Sequence, residues 1–243
     1  MNTVELFAGI GGFRIAADRL GWRTLWANDQ SEQACIVYRD RFGTKELRQG
    51  DFRELTTDVP DHDLLTAGFP CQPFSSAGKK EGVRDARGTL FELIIEVLEN
   101  RRPRFFILEN VKRLLTMEAG QHFATILGSL ADLDYAVEWR LLNAMQFGLP
   151  QNRERVIIVG ERKEKSHGQE MCFRLAAPVN FRPMKSQQWS RMMEVAEWDA
   201  IPDHKARFPN WGVALSGRFF GTDLQKFSSQ QAMIRLGDVL QEE

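Results

Sequence analysis

Short apolar runs alternate with longer amphipathic stretches along the first two thirds of the chain. Short runs favour buried strands, whereas apolar positions three and four residues apart favour helices with one buried face. The pattern predicts strands at 4–7, 24–27, 63–69, 104–108, 136–142 and 155–159, and helices at 11–20, 31–42, about 89–100 and 120–133. Ser31 is the predicted N-cap of the second helix. This alternation is typical of an α/β fold with a largely parallel sheet.

The pattern changes after residue 162. A polar segment, ERKEKSHGQE, is followed by tryptophans, prolines and short apolar pieces without clear periodicity. We therefore place a boundary near residue 163 and predict two parts, 1–162 and 163–243.

Composition narrows the class of protein. The 243-residue chain is 43% hydrophobic and 27% charged, which suits a soluble protein with one sizeable α/β core. No apolar run approaches the roughly 18 residues of a membrane span, and a signal peptide is not visible, so we expect a cytoplasmic protein. Three widely spaced cysteines suit neither a disulfide framework nor a zinc site, so no metal is expected. Because the net charge is −1, any surface for nucleic acid must be local.

A glycine-rich turn follows the first predicted strand, in ELFAGIGG (5–12). Such a turn at the start of a helix lets backbone amides approach a ligand, although it can equally serve to pack helix on strand. Asp29, at the end of the second predicted strand, lies twenty residues after Gly9. A carboxylate at that place can accept hydrogen bonds from ribose hydroxyls. The pair favours a nucleoside-containing cofactor, whose identity does not follow from these residues.

Two further residues extend this possible cofactor site. Asp51, in QGDFREL, follows a short third strand and could accept a hydrogen bond from an adenine amino group, or could be a turn aspartate. Phe7, at the end of the first strand, could lie against an adenine ring or belong to the core. Both alternatives stay open for each residue.

Cys71 lies between two prolines in GFPCQPFSSAG (68–78), directly after a predicted strand. Reactive groups of α/β sheets lie at the carboxyl ends of strands, and flanking prolines stiffen the backbone. A buried structural cysteine is the ordinary alternative. Because the residues that follow are polar and basic, we favour a reactive thiol that meets a substrate.

Charged residues lie at the ends of two other predicted strands. Glu109, in RFFILENV, could act as an acid or a hydrogen-bond partner, or could cap the next helix. Arg153 and Arg155, in QNRER, share a face if the extended conformation begins there, and a solvated edge is the alternative.

Together these motifs resemble those of the DNA (cytosine-5)-methyltransferase family. LFAGIGGFR is similar to its first motif, GFPCQPFSSAG to its nucleophile motif, RGTLFELI to the intervening motif, ENV to its sixth and QNRERVIIVG to its eighth. The resemblance covers roughly residues 2–162 and is very specific, because several motifs occur in one order. It implies the S-adenosylmethionine-dependent methyltransferase fold, a doubly wound, mostly parallel, seven-stranded sheet whose last strand is antiparallel.

The resemblance also implies a covalent mechanism. In this family the motif cysteine, here Cys71, attacks carbon 6 of a cytosine flipped out of double-stranded DNA. Carbon 5 then accepts a methyl group from S-adenosylmethionine. By motif, Glu109 would contact ring N3 and the exocyclic amine, Arg155 would hold O2, and Arg153 would support the pocket.

Cofactor and DNA contacts follow from the same resemblance. The family positions around S-adenosylmethionine correspond here to Phe7, Asp29, Asp51, Phe52 and Leu90, with backbone contacts from Gly9, Gly11 and Pro70. Ser75 would approach the DNA backbone, and Gln72 would lie near the gap left by the flipped base.

The chain departs from the family after residue 162. Family members continue into a target-recognition domain and into ninth and tenth motifs, and none of these is visible in the sequence. We expect residues 163–243 to be a connector, and a second polypeptide to supply the missing parts, as in split members of the family. The alternative is a truncated remnant. Trp189, Trp198 and Trp211 could anchor that partner or form a local core.

Other functions stay open. An RNA (tRNA) cytosine-5 methyltransferase would use the same motifs, and a regulatory subunit would keep the fold without catalysis. A nicotinamide-dependent oxidoreductase would account for the glycine turn and Asp29, but not for Pro70-Cys71-Gln72. We favour a DNA enzyme of bacterial or phage origin, of the kind found in restriction-modification systems.

Overall fold

The structure is a computed structural model that describes residues 1–70, 90–162, 193–197, 207–215 and 218–223. These residues divide into two compact units. The first contains residues 1–70 and 90–109, and the second contains residues 110–162 with the later described segments.

A parallel sheet forms the first unit. Its strands are β1 (Asn2–Leu6), β2 (Arg23–Asp29), β3 (Leu47–Gln49), β4 (Leu64–Gly68) and β5 (Phe105–Val111), in the order β3-β2-β1-β4-β5. Every neighbouring pair is parallel. The chain runs from β1 outward to β3 and then adds β4 on the other side of β1. Open α/β sheets bind ligands at such a reversal, outside the carboxyl ends of the strands.

The described part of this unit contains the helices α1 (Gly12–Arg19), α2 (Glu32–Phe42) and α3 (Leu90–Arg101). Ser31 caps α2 as predicted, because its hydroxyl accepts a hydrogen bond from the Ala34 N–H (3.3 Å). Leu64 and Leu65, successive residues of β4, are both buried and point to opposite faces of the sheet. Burial of neighbouring residues explains the continuous apolar run, since a parallel sheet is covered on both faces.

The second unit combines a helix with antiparallel strands. It contains α4 (Gln121–Asp132), β6 (Tyr135–Asn143), β7 (Glu154–Arg162), β8 (Met193–Glu197), β9 (Trp211–Leu215) and β10 (Arg218–Thr222). The strand order is β7-β6-β9-β10-β8, and each neighbouring pair is antiparallel. Phe123, Trp139 and Phe208 pack edge to face, with ring centroids between 5.0 and 5.7 Å apart. This cluster packs α4 against β6.

The predicted fold class is confirmed. The described part of residues 1–162 contains seven strands in a mostly parallel arrangement, and the last of them, β7, runs antiparallel to β6. The predicted strand at 136–142 extends over Tyr135–Asn143, and the one at 104–108 continues to Val111. No helix among the described residues is long and apolar enough to span a bilayer.

Strands after residue 162 were not predicted from the irregular apolar pattern there. β9 pairs with β6, from Val137 opposite Ala214 to Arg140 opposite Trp211. Trp211 is 2% exposed, and its indole N–H donates to Glu138 Oε1 (2.8 Å). It therefore belongs to a local core, which is one of the two roles that the sequence analysis considered for it. Trp189 and Trp198 lie outside the described residues. The functional boundary near residue 163 stays a prediction.

Candidate cofactor and catalytic site

The glycine turn joins β1 to α1 through left-handed backbone positions at Phe7 (φ 53°), Gly9 (φ 57°) and Gly11 (φ 83°). A side chain on Gly11 would collide with the Phe42 ring of α2, so this glycine allows close packing. By contrast, nothing lies within 4 Å of a Cβ built on Gly9. The turn is therefore filled by protein at Gly11 and open to a ligand at Gly9.

Asp29 connects the end of β2 to the glycine turn. Its Oδ2 accepts a hydrogen bond from the Gly9 N–H (2.8 Å), and its Oδ1 accepts one from the Ser31 N–H (2.8 Å). The structure thus brings together the two residues that the sequence places in one site. A carboxylate has about four lone-pair positions, so Asp29 can still accept from ribose hydroxyls.

Asp51 and Phe52 lie in the turn after β3. The Asp51 carboxylate accepts hydrogen bonds from Arg53, at its N–H (3.0 Å) and at Nη1 (2.9 Å). These bonds, the backbone one foremost, lower the pKa of Asp51. Phe52 is 2% exposed and packs edge to face on Phe7 (5.5 Å between centroids) and Trp26 (5.9 Å). The predicted residues Phe7 and Phe52 therefore belong to one aromatic cluster.

Hydrogen bonds join these segments into one edge. The Ala8 N–H donates to the Asn28 carbonyl (2.8 Å), and the Gly50 N–H donates to the Asp29 carbonyl (3.1 Å). The Asn28 side chain donates from Nδ2 to the carbonyls of Arg48 (2.8 Å) and Gly50 (3.1 Å). Sequence reasoning missed Asn28, although an asparagine ending the apolar run of β2 was a signal. We call the carboxyl ends of β1, β2 and β3, with the turns that follow them, the cofactor edge.

Pro70, Leu90 and Glu109 lie near the ends of β4, α3 and β5. In the parallel β4–β5 pair, Gly68 is opposite Glu109. Glu109 Oε2 is 3.6 Å from where a Gly68 Cβ would lie, so the carboxylate lies directly beside the end of β4. Pro70 is exposed, and Leu90 is the half-buried first residue of α3. Glu109 and Pro70 therefore lie, like the cofactor edge, at the carboxyl ends of the parallel strands.

Three predicted residues cannot be placed in this way. Cys71, Gln72 and Ser75 lie outside the described residues, and Pro70 is the last described residue before them. Their roles stay predictions from the sequence motif.

Arg153 and Arg155 belong to the second unit, at the start of β7. The strand begins at Glu154, one residue after Arg153. Strand geometry therefore does not place the two arginine side chains on one face, as the sequence analysis expected. Its N–H donates instead to the Gln151 carbonyl (2.9 Å), within a turn. Arg155 is half-buried opposite Leu142, and its Nη1 donates to the Glu154 carbonyl (2.8 Å).

Asn143 organises the loop between β6 and β7. Its Oδ1 accepts hydrogen bonds from the N–H groups of Met145 (3.1 Å) and Arg153 (3.3 Å), and its Nδ2 donates to Asn152 Oδ1 (2.7 Å). Gln146 Oε1 accepts from the Asn143 N–H (2.9 Å), which completes a capping box. Sequence reasoning missed Asn143 as well, and the asparagine three residues before a glutamine was the available signal.

Glu5 is a buried acid next to the glycine turn. It is 2% exposed, and its Oε1 accepts a hydrogen bond from the Phe13 N–H (3.2 Å) in the first turn of α1. Burial raises the pKa of Glu5 to about 8, so the carboxyl is mostly protonated at neutral pH. An acid inside the apolar strand TVEL was a signal that sequence reasoning did not use.

The cofactor edge suits a nucleoside better than a metal ion. It offers carboxylate acceptors at Asp29 and Asp51, an open backbone at Gly9 and the half-buried ring of Phe7, which packs on the buried Phe52. Among the described residues, no group of three or more His, Cys, Asp or Glu side chains converges as metal ligands would.

Methyltransferases of known structure share this fold. The crystal structure of a Spodoptera frugiperda DNMT2 mutant superposes with a TM-score of 0.57 at 24% identity, covering 70% of this chain and 52% of that one. The crystal structure of S. pombe Dnmt2 methyltransferase gives a TM-score of 0.56 at 24% identity, covering 83% of this chain and 66% of that one. At this level of identity the likeness concerns the fold alone.

The sequence comparison identifies the family. A family model described as C-5 cytosine-specific DNA methylase matches residues 1–208, and the chain belongs to this family, as the motifs predict. The type II methyltransferase M.NgoBI of Neisseria gonorrhoeae is 44% identical over 185 residues, which are 75% of this chain and 56% of the relative. M.HaeII of Haemophilus aegyptius is 46% identical over 160 residues, 65% of this chain and 50% of the relative. The chain spans about half the length of these curated relatives.

Proposed function

We propose that this chain carries the catalytic part of a DNA methyltransferase that transfers a methyl group from S-adenosylmethionine to carbon 5 of cytosine. Family membership over residues 1–208 supports the reaction class. The observation that carries the cofactor assignment is the hydrogen bond from the Gly9 N–H to Asp29 Oδ2 (2.8 Å). This bond places the open backbone of Gly9 beside a carboxylate that can accept further hydrogen bonds, and a bound nucleoside would use both.

S-adenosylmethionine fits the cofactor edge. Asp29 would accept from ribose hydroxyls, Asp51 would accept from the adenine amino group, and Phe7, supported by the buried Phe52, would contact the adenine ring. Leu90, Pro70 and the backbone of Gly9 and Gly11 would complete the binding site. When bound, the cofactor would supply a methyl group that its sulfonium charge activates, and S-adenosylhomocysteine would be the leaving group.

Cys71 is the proposed nucleophile. Its thiolate would form a bond to carbon 6 of the cytosine, which makes carbon 5 nucleophilic enough to take the methyl group. Loss of the carbon-5 proton to a water molecule would then break the bond between sulfur and carbon 6 and restore the thiolate. A thiolate can perform this chemistry only on a base extruded from the duplex.

Glu109, Arg153 and Arg155 are proposed to hold the base. Glu109 would contact N3 and the exocyclic amine, Arg155 would hold O2, and Arg153 would support the pocket. The position of Glu109 opposite Gly68, at the carboxyl ends of two parallel strands, supports a ligand contact there. The half-buried guanidinium of Arg155 suits a carbonyl acceptor.

Further parts of the proposal concern partners. Double-stranded DNA is the proposed substrate, with Gln72 and Ser75 as DNA contacts. We also propose a second polypeptide that recognises the target bases, a cytoplasmic location in a bacterial or phage-infected cell, and catalysis without a metal.

Duplex DNA containing 5-fluorocytosine tests the covalent mechanism, because fluorine cannot leave carbon 5 as a proton does. We expect the tagged chain, with S-adenosylmethionine and extract of the source cells, to form a covalent complex with this DNA that survives denaturation. Cys71→Ser should abolish the complex, whereas Cys172→Ser, the matched control, should not. A complex that persists in Cys71→Ser would overturn the assignment of the nucleophile.

Two additional arms of this experiment address partners and substrate. A complex that forms only after extract of the source cells is added would support the second polypeptide, and a complex formed by the chain alone would contradict the need for it. A complex with fluorinated RNA but not with DNA would replace the DNA enzyme by an RNA methyltransferase. Absence of any complex would indicate an inactive remnant.

A further inference from the structure

Asn28 lies among the hydrogen bonds of the cofactor edge, although no motif assigns it a role. It is 1% exposed and is the last residue of β2 before Asp29. Its side-chain Nδ2 donates to the carbonyls of Arg48 (2.8 Å) and Gly50 (3.1 Å). Its own backbone carbonyl accepts from the Ala8 N–H (2.8 Å) in the glycine turn. One residue therefore bonds to the segments on both sides of β2.

We propose that Asn28 is a positioning residue for cofactor binding, which holds the turn carrying Asp51 and Phe52 in place beside the glycine turn and Asp29. Asn28 acts through these segments and not by contact with the cofactor. The inference rests on the proposed S-adenosylmethionine site and deepens it by naming what supports that site.

The turn after β3 needs such support because its strand is short. β3 contains three residues, and its ladder with β2 ends where Gln49 lies opposite Asp29. Beyond that pair, the Gly50 N–H reaches the Asp29 carbonyl (3.1 Å). The two bonds from Asn28 then fix the carbonyls on either side of Gln49, directly before Asp51. Without them, a three-residue edge strand would have to position Asp51 and Phe52 by itself.

The required chemistry is that of a carboxamide. Both partners are carbonyl oxygens, so the side chain must offer two donors from one nitrogen, which asparagine does. An ionised aspartate has the same shape but offers only acceptors. Leucine branches at the same Cγ position, is larger and offers no polar atom. Asn28→Leu therefore removes both bonds, whereas Asn28→Asp removes both when it is ionised and at least one when it is protonated.

A matched control lies in the same strand. Thr24 is 3% exposed, and its hydroxyl is hydrogen-bonded to that of Thr3 (3.0 Å) near the opposite end of the β1–β2 pair. Thr24→Val removes a buried hydrogen bond that is remote from the cofactor edge. We therefore expect Thr24→Val and both Asn28 variants to lower Tm.

Calorimetric titration with S-adenosylhomocysteine separates positioning from general stability. Asn28→Leu should raise Kd by about tenfold or more, and Thr24→Val should leave it unchanged. Hydrogen exchange adds a local readout. S-adenosylhomocysteine should protect residues 50–53 and residues 8–13 in the wild type, but mainly residues 8–13 in the Asn28 variants.

The outcomes distinguish this inference from the proposed function. If the wild type does not bind S-adenosylhomocysteine, the proposed cofactor site is wrong, and the role of Asn28 falls with it. If the wild type binds and folded Asn28→Leu binds with the same Kd, only the inference is overturned. Should Asn28→Leu fail to fold, Asn28→Asp decides by the same titration, because it keeps the shape of the side chain.

Discussion

Two asparagines organise the two regions that the motifs assign to function, and their surroundings differ. Asn28 in the first unit is 1% exposed and bonds to carbonyls of the neighbouring strand. Asn143 in the second unit is half-buried and bonds within its own loop, to Met145, Asn152 and Arg153. Water can replace lost partners in the second place but not in the first. A substitution in the cofactor edge should therefore impair function strongly, whereas a substitution in the β6–β7 loop should impair it only slightly.

The two regions also differ in how far apart in sequence their partners are. Gly9 and Asp29 are 20 residues apart, and Asn28 and Gly50 are 22 apart, whereas Asn143 and Arg153 are 10 apart. The cofactor edge exists only when β1, β2 and β3 are paired. The loop needs only the β6–β7 hairpin. Substitutions in the cofactor edge should accordingly lower the stability of the whole first unit. Substitutions in the β6–β7 loop should change only the local order of that loop.

The largest effect is expected at Glu5, the buried acid of the first unit. Its pKa of about 8 lies above the ordinary value of 4.5, so between these values the native state keeps a proton that the unfolded chain releases. The free energy of unfolding should therefore fall as the pH rises through this window. At roughly 1.4 kcal/mol per pKa unit, the fall amounts to a few kcal/mol.

Glu5→Gln cannot ionise and should remove this fall. Its side-chain oxygen can still accept the bond from the Phe13 N–H, so the packing is kept. Urea unfolding at pH 5 and pH 8, followed by tryptophan fluorescence, measures the effect. The exposed Glu32 of α2 provides the control, because Glu32→Gln should keep the wild-type pH dependence. Parallel curves for the wild type and Glu5→Gln would show that Glu5 is ionised in the native state.

Asp29→Ala should give the next largest effect, on cofactor affinity. It removes acceptors for the N–H groups of Gly9 and Ser31 and the proposed acceptor for ribose. We expect binding of S-adenosylhomocysteine to weaken by about 1–3 kcal/mol, measured by calorimetric titration. Asp18→Ala is the control, since the Asp18 carboxylate is 43% exposed and pairs with Arg14 within α1. An unchanged Kd in Asp29→Ala would remove Asp29 from the site.

The contrast between partners that are near and far in sequence also explains which features the sequence could predict. The α/β fold, the Ser31 cap and the pairing of Gly9 with Asp29 follow from periodicity, capping chemistry and the logic of strand ends. The role of Asn28 depends on β2–β3 register, which periodicity does not give. Likewise, β9 pairs with a strand about seventy residues earlier, and the bond between Trp211 and Glu138 spans 73 positions. Local signals cannot predict such partners.

Asn143→Ala tests the second unit and should have a smaller effect. It removes the capping box and the acceptor for the Arg153 N–H, which should cost about 1 kcal/mol of local stability. We expect a lower rate of methyl transfer with unchanged binding of S-adenosylhomocysteine. Asn143→Asp keeps the acceptor and should be intermediate. Weaker cofactor binding with an unchanged rate would contradict the separation of the two regions.

The smallest effect is expected at Arg53, which bonds to Asp51 at the exposed rim of the cofactor edge. The guanidinium and the carboxylate are 53% and 39% exposed, so the pair contributes little to stability and is screened by salt. Arg53→Ala frees Asp51 Oδ2 but keeps the bond from the backbone N–H to Oδ1. Binding of S-adenosylhomocysteine should tighten slightly, since one acceptor no longer has to exchange partners.

Titration of Arg53→Ala at low and high salt measures this change, with Arg53→Lys as the control that keeps the charge. The gain should shrink at high salt, because salt already weakens the ion pair in the wild type. A loss of affinity would mean that the guanidinium itself contacts the ligand. Either result sharpens the comparison between the buried Asn28 and the exposed Arg53, which both bond to the Asp51 turn. The backbone and Asn28 hold the Asp51 turn in place, whereas Arg53 only competes for the carboxylate that the cofactor would use.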